Sequence, residues 1–279
     1  YPRTDQARQR DVKFISASEP DYVLSPQECR HSTLYMEKRA VQGEPTVFSE
    51  TFEYTSCGEW HNLRAEDVLP YDTTTALYKE YTAEREKHIV FSPRLRELAA
   101  KLTAGETNPY LKAKRIFRWI NDHFPWASAR EYSTIENIPE YVLDNRHGDC
   151  GQVSLLFITL CRISGIPAHF QSGFMMHPRA WNLHDWAEVY FEGVGWVPVD
   201  QSFGIPAFAR NADEEYFFLG GIDSWRMIVN TDYGMPLVPE KKYPRSETVD
   251  FQRGEVEWEG GNLYFPQWSY HMDIDYLNY

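Results

Sequence analysis

Three side chains in two short segments have the types and spacing for nucleophilic chemistry. In "HGDCGQVSLLFITLCRISGIPA", Cys150 follows Gly148 and Asp149 and leads straight into an apolar run. Gly148 permits a tight turn and Asp149 suits a helix N-cap, which predicts Cys150 in the first turn of a helix. There the helix dipole favours a thiolate, and a nearby imidazolium would lower the thiol pKa further. The segment "LHDWAEVYFEGVGWVPVDQSFG" supplies the two remaining groups, an imidazole at His184 and a carboxylate at Asp200. It reads as a β-hairpin whose loop holds Gly193 and Gly195. A register symmetric about position 192 sets His184 opposite Asp200, Trp186 opposite Pro198 and Glu188 opposite Trp196, all on one sheet face. A carboxylate beside the imidazole would fix its tautomer and stabilise its cation. Strand alternation puts Asp185 on the opposite face.

Plainer roles compete for these residues. Cys150 taken alone could be a small buried hydrophobe, the role expected of Cys161. A structural zinc site could draw on Cys150, His147 and His184, but no second closely spaced pair of cysteines or histidines supports one. His147 fits a surface turn, His177 a loop that lines a cleft, and Glu188 a structural ion pair. Trp186 and Trp196 are expected to pack around the histidine or wall the cleft. No acidic loop motif suggests calcium, so neither a metal nor a cofactor is expected.

Helices must aim the thiol and strands must carry its partners. "FSPRLRELAAKLTAG" predicts a helix capped by Ser92 and begun at Pro93, with Leu95, Leu98, Ala99 and Leu102 on one stripe. "NPYLKAKRIFRWINDHF" predicts another, with Asn108 as cap and Ala113, Ile116, Phe117, Ile120 and Phe124 on its buried face. A short helix follows from Pro139 to Asn145. The run after Cys150 is apolar around nearly its whole circumference, so that helix is buried on most sides before Gly165 and Pro167 end it. Downstream, "IPAHFQSGFMM", "HDWAEVYF", "GWVPVDQSF", "SWRMIVNTDY", "GEVEWEG" and "NLYFPQWSYHMDIDY" are rich in aromatic and β-branched residues and read as strands. Helices before strands predict an α+β fold with an antiparallel sheet. Residues 1–32 read as an extended arm, and Tyr78 to Val90 has no clear period. Around the turn "QGEP" the chain reads as a hairpin that would bring Cys29 and Cys57 within disulfide reach, although two free thiols are the simpler alternative. The expected organisation is a β-rich arm and hairpin at 1–90, a catalytic core at 91–240 and completing strands at 241–279.

Here the segments "HGDCGQVSLLFITLCRISGIPA", "HDWAEVYFEGVGWVPVDQSFG" and "LKAKRIFRWINDHF" closely resemble the transglutaminase-like superfamily of papain-fold thiol enzymes, in particular its bacterial members. The resemblance runs from about Phe91 to Gly204. It implies a Cys-His-Asp triad that falls on Cys150, His184 and Asp200, with a thioester formed on the cysteine. One oxyanion donor would be the Cys150 backbone N–H, and Trp126 or Tyr132 would be candidates for the second. Relatives often carry arginine where this chain has His169. Resemblance to bacterial members implies hydrolysis of a peptide or glycopeptide amide ahead of protein crosslinking; a binding module on the same fold is the other class in play.

Composition narrows the partners. The 279 residues hold 28 Lys and Arg against 41 Asp and Glu, a net charge of −13, and contain no basic run that could follow a phosphate backbone. Nucleic acid is not an expected partner; a peptide, protein or glycopeptide substrate is. No stretch reaches the roughly eighteen apolar residues of a membrane span. The chain starts at Tyr1 rather than methionine, and this together with the Cys29 and Cys57 pair suggests an extracytoplasmic or secreted protein.

Overall fold

A computed structural model describes residues 1–4, 7–128, 130–264 and 266–277. The N-terminal third holds five short strands, β1 (Gln9–Ala17), β2 (Tyr22–Leu24), β3 (Leu34–Met36), β4 (Glu50–Ser56) and β5 (Glu59–Trp60), then one short helix, α1 (Ala76–Tyr81). The strands either side of "QGEP" do not pair with each other, which corrects the expected hairpin. β3 pairs with β2, while β4 pairs with the longer β1, where Phe14 lies opposite Phe52. That choice gives β4 a longer ladder and an aromatic cross-strand pair, which Tyr1 extends with its ring 5.9 Å from that of Phe52. Cys29 lies in the loop between β2 and β3, Cys57 directly after β4, and both are free thiols; the sulfur of Cys57 accepts from Arg10 Nη2 at 2.8 Å.

Side-chain caps and prolines set the helices. Ser92 caps α2 (Pro93–Leu102), Asn108 caps α3 (Pro109–His123) and Asn137 caps α4 (Ile138–Asn145), each accepting from the N–H three residues on. Asp149 opens α5 (Cys150–Ile163) with a capping box: its carboxylate accepts from Gln152 N–H at 3.0 Å, and Gln152 Oε1 accepts from Asp149 N–H at 3.2 Å. Every residue of α5 from Gly151 to Arg162 is buried, as an all-round apolar helix requires. Leu155, Leu156, Phe157, Ile158 and Leu160 have no exposure at all, and burying a side chain of this size contributes roughly 1.5–3 kcal/mol.

Helix α5 lies against the central antiparallel sheet, formed by β6 (Ala168–Met175), β7 (Asn182–Phe191), β8 (Gly195–Val199) and, after the short helix α6 (Ala212–Glu215) and the strand β9 (Gly221–Ile222), β10 (Arg226–Thr231). Its strand order is β10-β6-β7-β8, and a small hairpin of β11 (Val256–Trp258) and β12 (Gly261–Leu263) follows. Along β7, Ala187, Val189 and Phe191 join the core shared with the helices, whereas Trp186 belongs to a separate cluster with Ile222 and Ile228. The β7–β8 register differs from expectation by two residues: Glu188 faces Pro198 and Tyr190 faces Trp196. The reason is the loop, which has three residues between the Phe191–Gly195 pair and positive φ at both Gly193 and Gly195. A shift of two keeps every side chain on its expected face.

Candidate active site

Cys150 occupies the first turn of α5, as its neighbours predict, but its surroundings are acidic. Its sulfur lies 3.5 Å from Asp185 Oδ2. Tyr132 donates its hydroxyl to Asp149 Oδ1 at 2.6 Å and sits 3.5 Å from Asp185 Oδ2. Gln252 Nε2 donates to Asp185 Oδ1 and to the His184 carbonyl. Gln252 belongs to a loop, residues 246–253, that Ser172 Oγ anchors by donating to the Asp250 carbonyl at 2.7 Å. Gly151 is required at this corner, because a Cβ there would stand 2.4 Å from Tyr132 Oη and 2.6 Å from Asp185 Oδ2.

The electrostatics run against the thiolate expected from the helix dipole. Burial pushes the Cys150 thiol well up, and the carboxyls of Asp185 and Asp149 push it further. Asp185 is itself raised well above the carboxylate range, first by burial and then by Asp250 and Asp149. Burial lifts Asp149 to about 6 against its hydrogen bonds from Tyr132 and Gln152. Glu247 rises to about 8 through burial and Asp250, with Arg253 opposing. A fixed half-charge at a helix end is outweighed by enclosure among several acids.

His184 and Asp200 meet although the register no longer sets them directly opposite, with Nε2 and Oδ2 2.8 Å apart. Arg226 Nη1 lies 2.8 Å from the same oxygen, and Asp200 Oδ1 accepts from Phe203 N–H at 3.1 Å. Burial alone would raise the Asp200 carboxyl; His184 and then Arg226 outweigh it and hold it at about 2. The Arg226 guanidinium also stacks over Phe203, 4.7 Å from the ring centroid. Arg226 was not among the sequence candidates, yet a signal was there: a lone arginine in the apolar strand "WRMIVN" has to find a buried counter-charge.

Strand alternation therefore sends Asp185 toward α5 and His184 to the far side, where its ring lies 5.9 Å from that of Trp186. The structure brings His184 to Asp200 and Cys150 to Asp185. Which face meets the helices is written in β7 itself: Asp185 shares parity with Ala187, Val189 and Phe191, and His184 with Trp186, Glu188 and Tyr190.

The other candidates divide. Trp126 is 62% exposed and bridges to Gly148, whose carbonyl accepts from Ala127 N–H at 3.1 Å. Tyr132 is buried with its hydroxyl committed to Asp149. Trp186 does not wall a cleft: it is fully buried and donates its Nε1–H to Gln171 Oε1 at 2.6 Å. His177 joins the far-side cluster through Asp223 at 3.3 Å. Glu188 forms its structural pair with Arg8 and with His169, whose Nε2 is 3.2 Å away. Among the described residues no group of histidines, cysteines and acids is arranged to hold a metal ion, and no helix is long and apolar enough to cross a membrane.

Comparison with known proteins matches residues 96–201 to the family model of the transglutaminase-like superfamily. Among curated proteins, the uncharacterized protein YebA of Bacillus subtilis is 26% identical over 140 residues, 43% of this chain. A protein-glutamine gamma-glutamyltransferase of Pseudomonas aeruginosa is 23% identical over 125 residues, 41% of this chain. The aligned part is 19% of the length of each of these two relatives. Among solved structures, a candidate cysteine protease from Cytophaga hutchinsonii is similar at a TM-score of 0.51 and 17% identity, over 83% of this chain and 73% of that one. That likeness is one of fold, and it agrees with the α+β arrangement of a Cys-bearing helix on an antiparallel sheet.

Proposed function

We propose, from the transglutaminase-like domain at residues 96–201, that this chain carries out thiol-dependent acyl transfer on amide bonds, with hydrolysis of a peptide or glycopeptide amide as its reaction. The observation that carries the reading is the buried His184–Asp200 pair, braced by Arg226, one position along β7 from the residue that touches Cys150. With Nε2 bonded to Asp200, Nδ1 is the nitrogen left to take the thiol proton. The thiolate of Cys150 adds to the amide carbonyl, the imidazolium returns its proton to the departing amine, and a thioester remains. Water, losing a proton to the same imidazole, then breaks the C–S bond and releases the acid and the free thiol. The described geometry is a resting arrangement in this scheme, since His184 faces away from the thiol. The ladder between β7 and β8 ends at Ala187–Val199, so residues 182–186 are paired on one side only, to β6. Putting His184 beside Cys150 in place of Asp185 would take a one-residue slip of this stretch against β6.

A non-catalytic module is the competing reading, and it draws on the same contact: a thiol held against a carboxylate is a poor nucleophile. Iodoacetamide labelling of the folded protein separates the two. The enzyme reading expects Cys150 to label faster than the buried Cys161, and His184→Ala to remove that advantage. It fails if Cys150 labels no faster than Cys161 and Cys150→Ala changes no activity in a peptide-amide screen. Crosslinking differs only in the group that resolves the thioester, so aminolysis dominating over water at modest amine concentration would replace hydrolysis by transamidation.

A further inference from the structure

On the far side of β7 the contacts of the His184–Asp200 pair do not stop at Arg226. The guanidinium presents Nη1 to Asp200 Oδ2 at 2.8 Å and turns its other edge to Asp223, with Nε and Nη2 both donating to Oδ2 at 3.2 and 2.6 Å. The second Asp223 oxygen, Oδ1, accepts from Trp225 N–H at 2.8 Å and lies 3.3 Å from His177 Nε2. The result is a row of alternating basic and acidic side chains, His177, Asp223, Arg226, Asp200 and His184. We propose that Asp223 is a positioning residue for the His184–Asp200 pair: by taking the Nε–Nη2 edge of Arg226 it aims Nη1 at Asp200 and so holds that carboxylate on the imidazole. The inference rests on the acyl-transfer reading for the use made of His184.

The planar fork of arginine can serve two carboxylates at once, and which edge each receives is set by where they are fixed. Asp223 is fixed by its place in the chain. It follows β9 directly, in the turn that leads to β10, and its bond from Trp225 N–H closes an Asx turn there. Arg226 is buried, with its guanidinium over Trp186 and Phe203 at 5.7 and 4.7 Å from the ring centroids, so little water reaches it to replace a lost acceptor. Burial works against the Asp223 carboxylate, but Arg226 outweighs it and holds the pKa below the usual range, while Asp200 is held at about 2. Two carboxylates then face one guanidinium, and the surplus negative charge is one that an imidazolium at His184 would neutralise. Without Asp223 the guanidinium is free to turn its Nε–Nη2 edge on Asp200 and draw that carboxylate off the imidazole.

The test removes the charge and keeps the turn. Asp223→Asn and Asp223→Ser can each still accept from Trp225 N–H, so a merely structural role for Asp223 survives both. The readout is the His184 Nε2–H proton in the NMR spectrum of protein labelled with 15N-histidine, identified by its absence in His184→Gln, and the rate at which it exchanges with water. Both variants are expected to speed that exchange about tenfold, the order of weakening one hydrogen bond to a charged group. Exchange at the unmutated rate in either variant, or no protected His184 Nε2–H in the unmutated protein, overturns the proposal. Iodoacetamide labelling of the same samples lets the two readings fail separately. If exchange speeds up while Cys150 of the unmutated protein labels no faster than Cys161, the positioning role stands and acyl transfer falls. If Cys150 labelling depends on His184 while exchange is indifferent to Asp223, acyl transfer stands and the positioning role falls.

Discussion

Asp200 and Asp185 are both fully enclosed carboxyls, yet their partners drive them in opposite directions. Asp200 has a cation and an imidazole within 2.8 Å and is held at about 2. Among the described residues Asp185 is met by neutral donors, the Cys150 thiol, Tyr132 and Gln252, while burial and two further acids push it well up. Neutral hydrogen bonds do not cancel like charge in a low-dielectric site. The Cys150 thiol inherits that environment, so relieving it should awaken the sulfur. Asp185→Asn is expected to raise the iodoacetamide labelling rate of Cys150 at pH 8 by roughly threefold to tenfold, because removing an acid that raises the thiol pKa increases the thiolate fraction. An unchanged or slower rate in pH-stepped labelling would show that Asp185 does not govern the thiol.

At the scale of elements, α5 and β7 meet at a corner that only glycine can occupy. Gly151→Ala would drive a methyl into Tyr132 Oη and Asp185 Oδ2, and overpacking of this kind costs about 1–3 kcal/mol. Urea unfolding should register that loss, and Tyr132→Phe in the same background should return part of it by removing the closer oxygen. A wild-type midpoint for Gly151→Ala would contradict the packing described. The helices at this corner were legible in the chain because their signals are local: Ser92, Asn108 and Asp149 announce each start within three residues of the bond they make. The pairing of β4 with β1 was not, since it depends on residues about forty positions away competing with a nearby strand. Between these extremes, alternation in β7 correctly separated His184 from Asp185 but not which of them meets α5. That required comparing the two parities, Ala187, Val189 and Phe191 against Trp186 and Glu188, for the drier face. Type and spacing nominate Cys150, His184 and Asp200, and a lone arginine in an apolar strand could have nominated Arg226; Gln252 carries no such signal, because it reaches Asp185 from a loop late in the chain.

For the molecule as a whole, the buried acids set an unusual pH dependence. Asp200, depressed to about 2 when folded, contributes stability that is complete above its unfolded pKa of about 3.9 and is lost as pH falls toward 2, roughly 2 kcal/mol in all. Asp149 and Glu247 are raised to about 6 and about 8, so each keeps a proton in the folded state that the unfolded chain has lost, while His31 and His88, lowered by burial to about 3 and about 4, work the other way below about pH 6.5. Above that point the folded state holds more protons and stability falls as pH rises toward 8. The net charge of −13 acts in the same direction. Thermal unfolding should therefore show a higher Tm at about pH 6.5 than at pH 8, and Glu247→Gln should flatten that fall. A Tm that climbs from pH 6.5 to 8 would refute this balance. The two ends of the chain also converge on one strand: Arg8 neutralises Glu188 on one face of β7, and Gln252 grips Asp185 on the other. The family model matches residues 96–201, whereas contacts onto β7 reach in from both sides of that span. A fragment cut to the matched span would keep both acids and lose both clamps, so inheritance and folding autonomy part company in this chain.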